Sequence, residues 1–151
     1  MSATKPLIGI TLGDYNGIGP EVIIKALSNP QILQWCVPVI YGSQKVLNFY
    51  KNGMEARDFQ FKTASDISNL TPDQIYLINC WDDANTLVEP GKETPEAGKA
   101  AFACLDRSAK DLDKGLLSAL VTAPINKHNI QSEDFNFPGH TEYLTDRFEA
   151  K

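Results

Sequence analysis

Apolar segments of the β-strand type alternate along the whole chain with segments of helical periodicity. The apolar segments predict strands at residues 7–12, 37–41, 75–80 and 116–121, and residues 58–63 alternate weakly. Helical spacing predicts helices at residues 20–27, 43–51, 94–113 and 142–151.

The third predicted helix has the clearest boundaries. Thr94 can cap its free amide groups, Pro95 suits the first helical position, and Glu96 complements the helix dipole. Lys114 and Gly115 form a suitable stop. Between these ends, one apolar face is formed by Ala97, Ala100, Ala101, Cys104, Leu105 and Leu112.

Strands that alternate with helices indicate βαβ units. The sequence therefore predicts an α/β fold with a mainly parallel sheet and helices on both faces. The continuous apolar run at residues 116–121 is typical of a strand buried on both faces of its sheet. No turn signal closes the last predicted helix, so the pattern leaves open whether the chain stops on a helix or is a fragment.

Composition narrows the possible functions of the 151 residues. The net charge of −5 argues against nucleic-acid binding, which requires concentrated positive charge, but permits a small anionic ligand. No apolar run approaches the roughly 20 residues of a membrane span, and residues 1–6 do not resemble a secretory signal. We therefore expect a cytoplasmic protein. Cys36, Cys80 and Cys104 lack disulfide or metal spacing and are expected to be small buried side chains.

The first motif that could bind a ligand is the glycine-rich segment 13–21, GDYNGIGPE, between the first strand and the first helix. Open α/β sheets bind ligands at this position, where strands end and helices begin. Val22 stands where the dinucleotide fingerprint has its third glycine. Spacing alone therefore leaves open a ligand-binding loop or a plain tight turn.

The second motif, residues 121–127 (VTAPINK), ends the most apolar strand. It places Thr122, Asn126 and Lys127 where a buried strand emerges into a crevice. Lys127 could meet an anion there or remain a solvated surface lysine. His128, which follows, is expected to be solvated or satisfied by a neighbour.

The third motif is the segment 137–144, FPGHTEYL. Gly139 marks the entry to the last helix, so His140 and Thr141 fall in its first turn. The free amides and positive dipole end there favour an anion, and an imidazole and a hydroxyl add two donors. The alternative is that Thr141 only caps the helix and His140 packs. No catalytic group or metal ligand follows from the spacing of these motifs.

Together and in this order, the three motifs resemble the 4-hydroxythreonine-4-phosphate dehydrogenases of vitamin B6 biosynthesis. The matching segments are residues 8–14, 16–21, 122–127 and 139–144, and the resemblance covers essentially the whole chain. One departure is Tyr15, where many members have proline. The resemblance implies an isopropylmalate-dehydrogenase-like fold, with residues 1–151 as the N-terminal α/β portion of a longer subunit. The chain is thus expected to be truncated and inactive alone.

The resemblance also implies a chemistry. The family is homodimeric and uses NAD or NADP with a divalent metal such as zinc, magnesium or cobalt. It oxidises 4-hydroxythreonine 4-phosphate, and decarboxylation gives 3-amino-2-oxopropyl phosphate on the route to pyridoxal 5'-phosphate. The family's His-Thr pair contacts substrate, which falls on His140 and Thr141, whereas the metal ligands are expected outside this chain.

The opening loop also resembles the Gly-Asp-Gly-Ile-Gly-Pro-Glu segment of isopropylmalate and isocitrate dehydrogenases. This second resemblance implies that Asp14, Gly17 and Ile18 lie near the cofactor. Three alternatives stay open for the protein as a whole. They are a dehydrogenase for another phosphorylated hydroxy acid such as a phosphothreonate, a phosphate acyltransferase of related fold, and a non-catalytic remnant that only binds anions or another subunit.

Overall fold

The computed structural model describes residues 4–149 and contains one five-stranded sheet. Its strands are β1 Leu7–Thr11, β2 Val37–Gly42, β3 Lys62–Ala64, β4 Tyr76–Asn79 and β5 Ala119–Thr122. The strand order is β3-β4-β2-β1-β5, and every neighbouring pair is parallel. The predicted α/β fold with a parallel sheet is therefore confirmed.

Five helices accompany the sheet. They are α1 Gly19–Leu27, α2 Ile32–Trp35, α3 Gln44–Gly53, α4 Pro95–Asp113 and α5 His140–Glu149. The start of α4 is the predicted one, since the Thr94 side chain accepts a hydrogen bond from the Ala97 amide at 3.2 Å. Helix α2 was not predicted, because its four residues are too few to show a helical period.

The chain crosses the sheet in two directions. The connections through α1 and α3 run from β1 toward the β3 edge, whereas α4 leads from β4 past β2 and β1 to β5. Because such crossovers are right-handed, the two directions place α4 on the face opposite α1 and α3. No helix within residues 4–149 is long and apolar enough to cross a membrane.

The prediction for the last strand was partly wrong. The strand is Ala119–Thr122 rather than residues 116–121, and it lies at the edge of the sheet. Val121 is 53% exposed in β5, which has β1 as its one neighbouring strand within the described residues, and Leu116, before the strand, is 41% exposed. An apolar run therefore identified a strand but not its degree of burial.

The cysteine prediction was also only partly correct. All three thiols are free, and Cys104 is buried against the sheet, but Cys36 and Cys80 are half-buried. Both half-buried residues directly follow an element, Cys36 after α2 and Cys80 after β4, where the chain leaves the core.

Apolar side chains form two separate clusters. The larger one fills the space between the sheet and the helices packed on it. The smaller one joins α4 to α5 through Ala101, Leu105, Ile130, Phe135 and Tyr143. Phe135 and Tyr143 lie with ring centroids 5.3 Å apart, so the last helix is held mainly by aromatic contacts.

The opening loop and the end of β5 are in direct contact. The Asp14 amide donates to the Pro124 carbonyl at 3.0 Å. Gly13 has a φ of +74°, and a Cβ atom there would lie 2.2 Å from the Pro124 carbonyl oxygen. Only glycine allows this approach, which fixes the positions of two of the sequence motifs relative to each other.

We therefore expect Gly13→Ala to lower the free energy of unfolding by about 3 kcal/mol or more, through backbone strain and the clash together. The matched control is Gly115→Ala, where φ is +77° but no atom lies within 4 Å of the added Cβ. That control should cost only about 1–2 kcal/mol, the usual penalty for a left-handed conformation. Urea unfolding measures both values, and equal losses would contradict the proposed clash.

Candidate functional site

The carboxyl ends of β1 and β5 form the crevice where a parallel α/β sheet is expected to bind ligands. The connection after β1 leads to one side of the sheet, while β5 is reached from the other side, so the strand order reverses there. The opening loop follows β1, and residues 123–127 follow β5. The structure therefore brings the first and second motifs together.

Asp14 is a buried carboxylate in this crevice. The residue is only 9% exposed, and its Oδ1 atom accepts a hydrogen bond from the Asn16 amide at 2.9 Å. Burial raises the pKa of Asp14 above its ordinary value, the Asn16 hydrogen bond opposes that rise, and repulsion from Glu93 adds to it. Asp14 is thus a buried ionisable group that also feels the charge of a second carboxylate, that of Glu93.

Gly17 and Ile18 lie at the solvent side of the same loop. The Gly17 amide donates to the Asp14 carbonyl at 3.0 Å, and the Ile18 side chain is 64% exposed. Ile18 is the N-cap residue of α1, and no side chain caps the helix there. Pro20 in the first turn has no N–H and Gly19 is buried, so this helix end offers a ligand few free amides.

Asn16 joins the opening loop to the segment before α4, a role that no spacing rule predicted. It is 3% exposed, and its Nδ2 atom donates to the Lys92 carbonyl at 3.0 Å. Its Oδ1 atom accepts a hydrogen bond from the Glu89 amide at 2.8 Å, and its main-chain carbonyl accepts one from the Gly91 amide at 2.7 Å. A buried amide side chain with all these partners fixes residues 89–92 against the loop. In the sequence, only the position of Asn16 inside a glycine-rich motif could have indicated that it has a structural role.

The segment after β5 is closed by hydrogen bonds of Asn126. Its Oδ1 atom accepts from the amides of His128 and Asn129, at 2.9 and 3.1 Å, and its Nδ2 atom donates to Glu93 at 3.1 Å. His128 pairs with Glu93 through Nδ1 and is otherwise exposed, as expected. The hydrogen bond from Glu93 raises the pKa of His128, while His128 and Asn126 lower the pKa of Glu93. His128 therefore lies at the surface, where it pairs with Glu93.

Helix α4 and the Asn126 segment approach each other closely. A Cβ atom on Gly98 would lie 2.0 Å from the Asn129 carbonyl oxygen, and the Asn129 Nδ2 atom donates to the Thr94 carbonyl at 2.9 Å. A side chain larger than hydrogen at position 98 would force these backbones apart.

The third motif forms the N-terminus of α5. The Tyr143 amide donates to the Gly139 carbonyl at 3.3 Å, which places Gly139 at the cap position and His140 and Thr141 in the first turn. Thr141 is exposed and does not occupy the cap position. The Nδ1 atom of half-buried His140 is shielded from solvent and has no hydrogen-bond partner within residues 4–149. A ligand that accepts or donates a hydrogen bond would satisfy it.

Lys127 and Glu142 converge on Gly139 at the same helix end. A Cβ atom on Gly139 would lie 3.5 Å from Lys127 Cε and 3.2 Å from Glu142 Oε2. Lys127 thus brings the second motif to the third and adds positive charge there. Glu142, which the sequence placed near the start of the last helix, folds back to where the helix dipole favours a negative group.

The described contacts do not unite all the candidates in one cluster. In residues 4–149, no hydrogen bond or ion pair links the opening loop directly to His140 or Thr141, and α5 packs on the smaller apolar cluster. The same part of the chain holds no group of three or more His, Cys, Asp or Glu residues that could bind a metal ion. The site therefore has two parts, the opening loop and the N-terminus of α5.

Comparisons with known proteins give a consistent result. The family model described as "Pyridoxal phosphate biosynthetic protein PdxA" matches residues 34–151. The 4-hydroxythreonine-4-phosphate dehydrogenase of Bacteroides thetaiotaomicron is 46% identical over 97% of this chain. The "Putative D-threonate 4-phosphate dehydrogenase" of Oceanobacillus iheyensis is 34% identical over 94% of it.

The structural comparison agrees with the sequence comparison. The crystal structure of a 4-hydroxythreonine-4-phosphate dehydrogenase from Burkholderia phymatum has a TM-score of 0.81 and 29% identity, over 95% of this chain. The chain spans 40% and 43% of the two curated relatives' lengths and 44% of that solved chain.

The buried state of Asp14 predicts a stability change with a defined pH dependence. Because burial raises its pKa in the folded state, the ionised carboxylate destabilises the fold at neutral pH, and protonation at low pH removes that cost. We expect Asp14→Asn to raise the free energy of unfolding at pH 7, since the amide oxygen can still accept from Asn16. The gain should shrink as the pH falls through the pKa of Asp14. Chemical unfolding at several pH values tests this, and a loss of stability at pH 7 would contradict it.

Proposed function

The chain belongs to the PdxA family of pyridoxal phosphate biosynthetic proteins, and from this premise we propose that it forms the N-terminal α/β portion of a 4-hydroxythreonine-4-phosphate dehydrogenase. The proposed reaction is oxidation of the substrate's secondary alcohol by NAD or NADP, with decarboxylation to 3-amino-2-oxopropyl phosphate. The observation that carries the proposal is the 46% identity to the Bacteroides enzyme along nearly the whole chain. A homodimeric, cytoplasmic protein belongs to the same proposal.

The N-terminus of α5 is the proposed phosphate-binding part. The first amides of the helix point outward, and the positive end of its dipole favours a dianion. The unpartnered His140 Nδ1 atom and the exposed Thr141 hydroxyl add hydrogen-bonding groups, and Lys127 supplies a charge beside Gly139. These groups would hold the substrate in place and would make or break no bond.

The opening loop is the proposed cofactor-binding part, with Asp14, Gly17 and Ile18 as its residues. Exposed Ile18 offers an apolar contact to the cofactor, and it lies beside the positive dipole end of α1. The nicotinamide, when bound, accepts the hydride. Asp14 would keep the loop in shape through its hydrogen bond from Asn16.

The divalent metal implied by the family finds no fitting ligand set among the described residues. Zinc normally binds three or four protein ligands, and residues 4–149 offer no such group. We therefore assign the metal ligands to other parts of a longer subunit or to its partner, and we assign no step to a metal here.

Oxidation of D-threonate 4-phosphate is a second candidate function. Relatives named for that activity are 33–34% identical to this chain. The two substrates share the phosphate, so the N-terminus of α5 would serve either one. The higher identity to the Bacteroides enzyme favours 4-hydroxythreonine 4-phosphate.

A subunit of the family's full length that carries this sequence should reduce NAD or NADP when supplied with 4-hydroxythreonine 4-phosphate and a divalent metal. Replacing His140 and Thr141 together by alanine should raise KM for this substrate about tenfold or more, since hydrogen bonds to a charged group are worth about 1.5–3 kcal/mol each. Nicotinamide absorbance measures the rate.

The matched control is His128→Ala, the chain's other histidine, which is exposed and pairs with Glu93. It should leave KM unchanged. No turnover of this substrate would refute the function, and an unchanged KM in the double variant would refute the phosphate site. Faster turnover of D-threonate 4-phosphate would favour the second candidate.

Glu142→Gln should lower KM for the phosphorylated substrate severalfold, because the carboxylate lies where the phosphate is proposed to bind and repels it. The same change should cost about 0.3–1 kcal/mol of stability through the lost interaction with the helix dipole. Asp146→Asn, one turn later on α5, removes the same charge away from the helix end and serves as the control. A KM that rises in Glu142→Gln would instead make Glu142 a substrate-binding group.

A further inference from the structure

A groove of about 410 Å³ lies at the β3 edge of the sheet, and none of the sequence motifs predicted it. It is lined by residues of α3, of β3 and of the segment before β3. β3 and β5 are at opposite ends of the strand order, and the groove shares no lining residue with the opening loop or with α5. Its volume falls in the roughly 300–1,000 Å³ range of small-molecule sites.

Helix α3 supplies three polar side chains to the groove. Gln44, Asn48 and Lys51 all line it, and their spacing of four and three residues places them on the same side of the helix. Within residues 4–149, the side chains of Gln44 and Asn48 make no hydrogen bond. Both amide groups are therefore available to a ligand.

The edge strand supplies a second cation and further donors. Lys62 and Thr63 line the groove, and the Lys62 amide donates to the Ile75 carbonyl at 2.9 Å, toward β4. Main-chain groups of successive strand residues point to opposite sides, so the Thr63 amide faces the free edge of the sheet. The Thr63 hydroxyl, which has no partner in the described part of the chain, adds another donor.

The groove is positively charged in a chain whose net charge is −5. Lys51 and Lys62 line it, and no carboxylate of the described residues does. Neither lysine forms an ion pair within residues 4–149, although Glu55 is only four residues after Lys51. Two uncompensated cations surrounded by amide and hydroxyl groups provide the charge and the donors that an anion requires.

We propose that this groove binds a small molecule with two or more negative charges, held by the ammonium groups of Lys51 and Lys62 and by the side-chain amides of Gln44 and Asn48. The half-buried ring of Phe61 also lines the groove and offers an apolar contact to the rest of such a molecule. Phosphate and carboxylate groups share the required chemistry, so pyrophosphate and citrate are the two probes. The inference goes beyond the proposed function and does not depend on it.

A pyrophosphate titration followed by amide NMR tests the groove. The titration uses the His140→Ala, Thr141→Ala variant, which lacks the side chains of the other proposed phosphate site. Saturable shifts are expected at the amides of Gln44, Asn48 and Thr63, and added sodium chloride should weaken them because salt screens exposed charges. If circular dichroism shows this variant to be unfolded, the original chain gives the same readout, since the shifts are assigned to individual residues. A parallel titration with citrate shows which class of anion binds more tightly.

Replacing Lys51 and Lys62 together by glutamine should weaken pyrophosphate binding about tenfold or more, through the loss of two attractions to the anion. The matched control replaces Lys25 and Lys114 by glutamine. These two lysines are exposed and lie outside the groove, so the control removes the same charge and should weaken binding less than about twofold. Glutamine keeps the edge strand polar, so that strand-to-strand aggregation does not confuse the result.

Three results would overturn the inference. They are the absence of saturable shifts with either probe in a folded chain, equal weakening in the two double lysine variants, and shifts confined to residues outside the groove. The proposed function fails separately. A family-length subunit without turnover would refute the function and leave the groove in place, since pyrophosphate binding is measured without substrate. Normal turnover without pyrophosphate binding at the groove would refute the groove alone.

Discussion

The contact between the opening loop and Pro124 is the constraint on which the rest of the site depends. β1 and β5 are neighbours in the sheet but distant in sequence, and their ends meet where Gly13 allows the Asp14 amide to reach the Pro124 carbonyl. Parallel pairing alone aligns the strands. The added contact fixes the loops that follow them, so the position of Lys127 depends on the turn after β1.

Each part of the site uses a different section of the core. The opening loop rests on the main cluster through Leu12 and Tyr15, whereas α5 rests on the smaller cluster around Phe135. Lys127 joins the two, since it follows β5 and ends beside Gly139. Under the proposed function, the substrate phosphate and the nicotinamide cofactor would be held by separately packed elements that Lys127 connects.

The sequence predicted the positions of helices and strands better than it predicted the burial and contacts of their side chains. The start of α4 followed from Thr94 and Pro95 because a helix cap is a local interaction, and the first turn of α5 followed from Gly139 in the same way. The exposure of Val121 was mispredicted because burial depends on which strands lie beside β5. Partners that are distant in sequence, such as Asn16 with Lys92 or Tyr15 with Trp81, have no local pattern and became visible only in three dimensions.

The close approach at Gly98 has a consequence for how the site would respond to a ligand. The backbone of Asn129 lies against α4 with no room for a side chain between them, and Asn129 is also bonded to the Thr94 carbonyl. The segment that carries Lys127 is therefore preorganised by a nineteen-residue helix and has little backbone freedom to lose when an anion binds. The side chains of Lys127 and Glu142 would then change rotamer to fit the ligand while the backbone stays in place. Fixing side-chain rotamers costs less entropy than ordering a loop.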